Sequence, residues 1–194
     1  MTKLSNTTFI IPLRIETDDR LRNVIVSSIY LLDNTDCQII VKESDKTSVF
    51  AEKALPQIRE CIEDKADRLT HIFEENQEEY FHRTRLLNDM VMVTTTDVVV
   101  NYDCDILLPL ESYTTSEEKI TSGECDVVYP YGDGNWQYQI FATDELERVL
   151  EYMMLSMDSV SSSPLKNILK VDWRMKTSLH MDMRMMKDTL GSTN

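Results

Sequence analysis

A regular change of hydrophobic period constrains the fold of this chain more than any other feature. Four short runs rich in β-branched and aromatic residues occur at 7–13, 37–43, 69–74 and 97–102. Between them lie segments whose apolar residues recur at spacings of three and four, as on one face of a helix. Strand and helix therefore alternate, and this order predicts an α/β fold with a mostly parallel sheet flanked by helices.

The pattern changes after residue 109. The runs CDVVYPY and WQYQIF are separated by GDGN, a turn sequence, and predict a short antiparallel addition to the sheet. A helix is expected from Thr143 or Asp144, and a methionine-rich helical pattern follows it. We expect one domain over residues 1–194, with a core at 7–142 and a helical C-terminal part at 143–194.

The charge balance excludes one class of partner. The formal net charge is −14, so a broad basic face for nucleic acid is not expected. An acidic surface favours solubility. An anionic ligand would need a local group of arginines or a metal ion to offset the repulsion.

The four cysteines, at 37, 61, 104 and 125, form no C-x-x-C pair. Their spacing favours reduced thiols in a cytoplasmic protein over a zinc module. The N-terminal MTKLSNTT lacks the apolar core of a signal peptide, and no apolar run reaches membrane-spanning length. We therefore expect a cytoplasmic protein with no membrane span.

Two carboxylates, Asp103 and Asp105, follow the fourth strand in the run VVVNYDCDILLP. In parallel sheets, ligands bind beside the carboxyl ends of the strands. Alternating carboxylates at such a position can bind a hard divalent cation, which can in turn hold a diphosphate. A strand that simply ends in two solvated acids is the competing interpretation, and spacing alone does not decide between them.

Arginines accompany the same strand ends. Arg14 follows the first strand, and Arg83 and Arg85 stand in FHRTRLLND, before the fourth. Guanidinium groups there suit a phosphate or a base carbonyl. The alternative is that Arg83 and Arg85 are ordinary surface residues of a helix.

Three blocks together resemble a known family. IPLRIETDDRLRN, FHRTRLLN and DCDILLP occur in this order between Thr8 and Pro109. They are similar to the P-F-R, F-x-R-x-x-x-L-N and D-x-D segments of the β-1,4-galactosyltransferase type of GT-A glycosyltransferase. The resemblance implies a GT-A, Rossmann-like fold, a nucleotide-diphosphate-sugar donor, most simply a UDP-sugar, and Mn²⁺ or Mg²⁺ as cofactor.

The resemblance also implies roles for individual residues. It places the donor against a set drawn from all three blocks: Pro12, Leu13, Arg14, Phe81, Arg83, Asp103 and Asp105. Asp105 would be the direct metal ligand, and Asp103 would face the ribose or the sugar. Glu43, at the end of the second strand, is a weaker candidate for the nucleoside, and a solvated acid there is an equal alternative.

One block of that family has no match here. The family's W-G-W-G-x-E-D segment, which supplies the catalytic base and the acceptor site, is absent from the 194 residues. The expectation is a donor-binding half with a truncated acceptor half: a fragment, a split protein completed by a second polypeptide, or a degenerate homologue. Asp133 and Asp172 are acids in predicted loops, and neither is assigned as the base.

Two functional hypotheses remain. The first is a hexosyltransferase that transfers sugar to a glycan or another hydroxyl acceptor, inactive alone if the acceptor half is missing. The second is a non-catalytic protein that binds a nucleotide sugar or a partner and retains the donor fold. The missing acidic block favours the second, and the intact donor set favours donor binding in both.

Overall fold

The computed structural model describes residues 1–130 and the backbone of Asp172–Met175. The four predicted parallel strands are present as β1 (Thr7–Leu13), β2 (Gln38–Asp45), β3 (Leu69–Glu75) and β4 (Val98–Asn101). The helices are α1 (Asp18–Asn34), α2 (Leu55–Ile62), α3 (Arg83–Val93) and α4 (Leu110–Thr121). A π-helical turn (Phe50–Ala54) precedes α2, and a 3₁₀ segment (Glu63–Arg68) follows it.

The strands form one six-stranded sheet with the order β3-β2-β1-β4-β6-β5. The first four are mutually parallel, and β6 (Asp172–Met175) runs antiparallel between β4 and β5 (Val127–Val128). This arrangement confirms the predicted α/β fold with a mostly parallel sheet. The antiparallel addition differs from the predicted hairpin, because β5 lies in the predicted run CDVVYPY but its partner β6 lies in the part 143–194 that was expected to be helical. The predicted boundary at residue 142, the GDGN turn with the run WQYQIF, and the rest of the expected helical part lie outside the described residues.

Alternate residues of the parallel strands enter two different cores. One face packs under α1, α2 and α4, with Phe9, Ile39 and Val100 among its buried residues. The other face packs under α3, where Ile10 and Met90 are buried. A strand covered on both faces needs apolar residues at both parities, which explains the continuous apolar runs in the sequence.

Two helices also differ from the prediction. Helix α4 was not predicted, because its run LESYTTSEEKIT is mostly polar, and its buried stripe is only Tyr113, Ser116 and Ile120. Helix α3 begins only at Arg83, although the run EEYFHRTRLLNDMVMVT, from Glu78 onward, reads as one helix. The carbonyl oxygens of Glu79 and Tyr80 accept hydrogen bonds from the Arg14 side chain, so this part of the chain runs as a loop.

Among residues 1–130 and 172–175, no helix combines the length and the apolar character needed to cross a bilayer.

Candidate nucleotide-sugar site

The carboxyl edge of the sheet is stepped, because its strands end at different heights. Ile10 of β1 lies opposite Asn101, the last residue of β4, so β1 continues beyond its neighbour to Leu13. The Tyr102 amide donates to the Ile10 carbonyl over 3.1 Å and closes the ladder. The chain that leaves β4 therefore turns beside the exposed end of β1.

The paired carboxylates lie on this turn. The Ile106 amide donates to the Asp103 carbonyl over 3.2 Å, which forms a β-turn from Asp103 to Ile106. Cys104 and Ile106 are buried, at 7% and 5% exposure, whereas Asp105 is exposed and the Asp103 side chain is 43% exposed. The apolar residues around the two acids thus anchor the turn, and the acids themselves remain in water.

Three tyrosines, of which Tyr102 and Tyr113 are fully buried and Tyr30 is partly buried, hold the segment that follows. The Tyr102 hydroxyl donates to the Ile106 carbonyl, and the Tyr30 hydroxyl donates to the Leu108 carbonyl over 3.0 Å. The Leu108 amide donates to the Tyr113 hydroxyl, also over 3.0 Å. Burial raises the pKa of Tyr30 to about 12 and that of Tyr102 well above its ordinary value, so both phenols stay protonated.

Arg83 brings a cation to the paired carboxylates. Its Nη2 donates to Asp103 Oδ1 over 2.6 Å and to Asn101 Oδ1 over 3.1 Å. The Arg83 side chain is 42% exposed, so solvent screens the pair and a ligand can reach both partners. The sequence analysis did not single out Asn101, although a polar residue at the end of the apolar run VVVN could have indicated a site residue.

Arg14 lies at the same edge but is 7% exposed. Its guanidinium carbon is 5.5 Å from the centre of the Phe81 ring, and the Phe81 carbonyl accepts from the Arg83 amide over 3.0 Å. A continuous set of contacts therefore runs from Arg14 through Phe81 and Arg83 to Asp103. Asp105 belongs to the same turn, and no hydrogen bond or ion pair to it occurs within residues 1–130.

Pro12 and Leu13 differ in how they meet solvent. Pro12 is partly exposed, but the Leu13 side chain is 1% exposed and belongs to the core under α1 and α2. The Leu13 side chain is therefore not accessible to a ligand at the edge.

Glu43 is not a solvated acid. It is fully buried and accepts from the Phe50 amide over 2.9 Å, from the Ser48 hydroxyl over 2.6 Å and from His71 over 3.1 Å. Burial alone would raise the pKa of Glu43, but these hydrogen bonds outweigh it, and the pKa lies below its ordinary value. Both carboxylate oxygens are occupied, so Glu43 holds the chain after β2 in place.

Arg85 is engaged elsewhere. Its two terminal nitrogens donate to the two carboxylate oxygens of Glu74, one of them over 2.7 Å. The hydrogen bond from Arg85 lowers the pKa of Glu74 to about 2. Arg85 also lies 3.7 Å from Asp89, so its charge is met within the protein. Arg83 and Arg85 are two residues apart and yet belong to different networks.

The exposed carboxylates suit a hard divalent cation. Asp103 uses one oxygen toward Arg83, which leaves its second oxygen and both oxygens of Asp105 as donors. Mg²⁺ and similar cations are commonly held by one or two carboxylates together with substrate phosphates and water. Among the described residues, no cluster of three or more His, Cys, Asp or Glu side chains is placed to hold a metal. Two carboxylates completed by a diphosphate remain a chemically adequate set.

Arg20 is a second cation that the sequence analysis did not single out. It is exposed in the first turn of α1. Burial raises the pKa of the Cys104 thiol to about 11, while the charge of Arg20 opposes that rise. Arg20 therefore lies near the turn that carries the paired carboxylates. The local sequence did not indicate this, because the two segments are far apart in the chain and meet only in the fold.

Comparisons with known proteins show the fold. No protein-family model matches the chain, and neither does any curated protein. TarS 1-349 from S. aureus superposes with a TM-score of 0.54 at 10% identity, over 91% of this chain and 48% of that one. The same protein in complex with UDP-GlcNAc gives a TM-score of 0.50 at 11% identity, over 91% and 47%.

A mannosyltransferase from Pyrobaculum calidifontis, in complex with GDP-Man and Mn²⁺, aligns at 18% identity with a TM-score of 0.48, over 64% of this chain and 34% of that one. The chain thus spans between about a third and a half of these structures. The likeness to TarS, at 10% and 11% identity, shows a GT-A-like, Rossmann-like fold, and the galactosyltransferase subfamily is not confirmed.

Proposed function

We propose that the chain binds a nucleoside-diphosphate sugar at the carboxyl edge of its sheet, with a divalent cation. The observation that carries the proposal is the meeting of Arg83 with Asp103, 2.6 Å apart, beside the exposed Asp105, which has no hydrogen-bond or ion-pair partner within residues 1–130. The site offers one positive group, Arg83, beside the two acids of the turn. The ligand complex offers a negative diphosphate and a positive metal ion. Arg83 suits phosphate oxygens, and the acids suit a metal.

Charge explains why a metal would be required. The chain carries a net charge of −14, and the proposed site exposes two carboxylates. A diphosphate that approaches them is repelled unless a cation lies between. Asp105 would hold Mn²⁺ or Mg²⁺ directly, and Asp103, oriented by Arg83, would face the ribose or the sugar. When bound, the metal would supply Lewis-acid stabilisation of the diphosphate leaving group.

Donor binding and sugar transfer are separate parts of the proposal. Binding uses residues of the first half and needs no second polypeptide. Transfer also needs a carboxylate within hydrogen-bond reach of the acceptor hydroxyl, and none is assigned. Asp133 lies outside the described residues, and Asp172 lies in β6 rather than in the predicted loop. Nucleotide-sugar binding is therefore the proposed function. If the chain also transfers the sugar, the reaction is hexosyl transfer to a hydroxyl acceptor.

Calorimetry with UDP tests donor binding. We expect weak binding to the full chain without divalent cation and at least about tenfold tighter binding with Mn²⁺, since a bridging cation removes the repulsion. Arg83→Gln should weaken binding with metal still present. Arg59→Gln, an exposed arginine on α2, is the matched control. Equal affinity with and without Mn²⁺ would contradict the proposed metal site.

A transfer assay separates the two hypotheses. UDP-sugars are incubated with the purified chain and with mono- and disaccharide acceptors. We expect little or no transfer, because general-base help alone is worth about 10²–10⁴-fold and acceptor positioning adds more. Slow hydrolysis of the donor is compatible with binding alone. Rapid transfer would instead establish an active hexosyltransferase and a base outside the residues assigned here.

A further inference from the structure

Arg14 makes an unusual set of contacts for an arginine at a ligand site. Its Nε donates to the Ser44 carbonyl over 2.9 Å, and its Nη1 donates to the Glu79 carbonyl over 2.9 Å. Its Nη2 lies 3.5 Å from the Tyr80 carbonyl. All three acceptors are main-chain oxygens, and the guanidinium carbon lies over the Phe81 ring. With 7% exposure, the residue has little surface left for a ligand.

These contacts join two parts of the fold. Ser44 belongs to β2, whereas Glu79 and Tyr80 belong to the β3–α3 loop, residues 76–82. The start of this loop is tied independently, because the Asn76 amide donates to the Asp45 carbonyl over 2.8 Å. The second half of the loop is connected to β1 and β2 through Arg14, which follows the last residue of β1. Phe81 and the first residue of α3, Arg83, come directly after that link.

We propose that Arg14 is a positioning residue: it fixes the β3–α3 loop so that Arg83, which follows the loop, is preset for the ligand, without Arg14 contacting the ligand itself. The proposal deepens the proposed function and rests on it. It departs from the direct nucleotide contact that the sequence resemblance implies for Arg14. The geometry requires arginine, since a lysine ammonium cannot reach three carbonyls in different directions while it covers a ring.

Hydrogen exchange on the ligand-free chain tests the positioning. In Arg14→Gln we expect the amides of residues 77–83 to exchange about tenfold or more faster, because the links to two loop carbonyls are lost. Arg14→Lys should behave like Arg14→Gln, although it keeps the charge. Unchanged exchange in the loop of Arg14→Gln would overturn the proposal.

Arg68 provides the matched control. Its guanidinium also donates to three main-chain carbonyls, those of Leu32, Thr35 and Cys37. Arg68 directly precedes β3, however, so it lies at the opposite edge of the sheet from Arg14. Arg68→Gln should leave exchange in the β3–α3 loop unchanged and raise it around residues 32–38. If both variants loosen the whole chain equally, the effect is global destabilisation, and the proposal is wrong.

A double-mutant cycle measures whether Arg14 acts through Arg83. UDP affinity with Mn²⁺ is compared for Arg14→Gln, Arg83→Gln and the double variant. If Arg14 acts by positioning Arg83, its removal should add less than about twofold once Arg83 is gone. Independent contacts would instead multiply, and full recovery of affinity by Arg14→Lys would likewise indicate a direct charge contact. Either result overturns the proposal.

The two tests fail in distinguishable ways. If the unmodified chain does not bind UDP, the proposed function falls, and hydrogen exchange alone decides whether Arg14 fixes the loop. If UDP binds and loop exchange is unchanged in Arg14→Gln, the proposed function stands, and the positioning role is wrong.

Discussion

Polar side chains meet at both edges of the parallel sheet, but their surroundings differ. At the amino edge, Asn6 and Asp97 hydrogen-bond each other twice, at 3.2 Å each. Thr8 and Thr96 meet over 2.7 Å in the interior. At the carboxyl edge, Arg83 and Asp103 also pair, but both are more than two-fifths exposed, and Asp105 has no partner within residues 1–130. The exposed Asp97 of the first edge is thus bound by Asn6, whereas the second edge holds two acids on one turn beside an arginine.

The difference shows that polar contacts alone do not identify a ligand site. Arg14 and Arg68 each donate to three main-chain carbonyls, yet only Arg14 lies at the edge that carries the paired acids. Exposed acids occur at both edges, and the carboxyl edge differs in that two acids share one turn beside Arg83. Substitutions should therefore separate stability from ligand binding according to the edge they affect.

The largest expected effect comes from a fully buried aromatic residue of β1, the strand that pairs with both β2 and β4. Phe9 is fully buried in β1 and contacts Tyr102 and Tyr113 edge-on, with ring centres 5.3 and 5.4 Å away. Phe9→Ala should lower the free energy of unfolding by about 3–5 kcal/mol, measured by urea denaturation. Phe73→Ala, at a site 39% exposed, is the control and should have a much smaller effect. Similar losses in the two variants would contradict the described core.

Glu43 sharpens the comparison because it lies at the carboxyl edge and is nevertheless closed off. Glu43→Gln should lower the free energy of unfolding at neutral pH by about 1–3 kcal/mol, since a neutral amide cannot satisfy the three donors equally. The pKa of Glu43 is lowered in the folded chain by hydrogen bonds that outweigh burial. Its contribution is therefore present above the ordinary carboxyl value of 4.5 and is lost as the pH falls below it.

Urea denaturation between pH 3 and pH 7 measures this contribution (about the range over which a carboxyl group titrates). The unmodified chain should lose stability on acidification more steeply than Glu43→Gln. Glu60→Gln, an exposed residue on α2, should keep the original slope. Parallel pH profiles for all three proteins would show that Glu43 does not stabilise the fold through its charge.

Asp105 tests the open edge directly. Asp105→Asn keeps the shape of the side chain and removes its charge, so the Mn²⁺-dependent gain in UDP affinity should fall by about tenfold or more. Its free energy of unfolding should change by less than about 0.5 kcal/mol, because the side chain is exposed. Asp67→Asn, an exposed acid at the amino edge, should leave the Mn²⁺ effect intact. If the two variants bind UDP alike, the cation lies elsewhere.

The smallest expected effect distinguishes two neighbouring arginines. Arg85 pairs with Glu74, and the side chains are 46% and 29% exposed, so Arg85→Gln should lower stability by less than about 1 kcal/mol. UDP affinity should be unchanged, whereas Arg83→Gln should weaken it. Calorimetry and urea denaturation on the two variants give both quantities. Equal losses of affinity would mean that the networks of Arg83 and Arg85 are not separate.

Hydrophobic periodicity by itself determined the layers of this protein. The four parallel strands and helix α3 follow from apolar residues that repeat along short stretches. Helix α4 was not predicted, because the stripe of residues that it buries is nearly polar. The same local pattern placed Asp103 and Asp105 at a strand end, since buried residues alternate with them on one turn. Such features depend on near neighbours in the chain, which a sequence displays directly.

Only the tertiary structure decided which partners these residues have. Arg83 meets Asp103 across 20 residues, and Arg14 reaches the Glu79 carbonyl across 65. Glu43 and His71 become neighbours because β2 and β3 pair in register, and that pairing turns a candidate ligand contact into a buried support. Register between separate strands and the path of the β3–α3 loop depend on the packing of the whole sheet. No local pattern contains that information, because the contacts form between segments that are far apart in the chain.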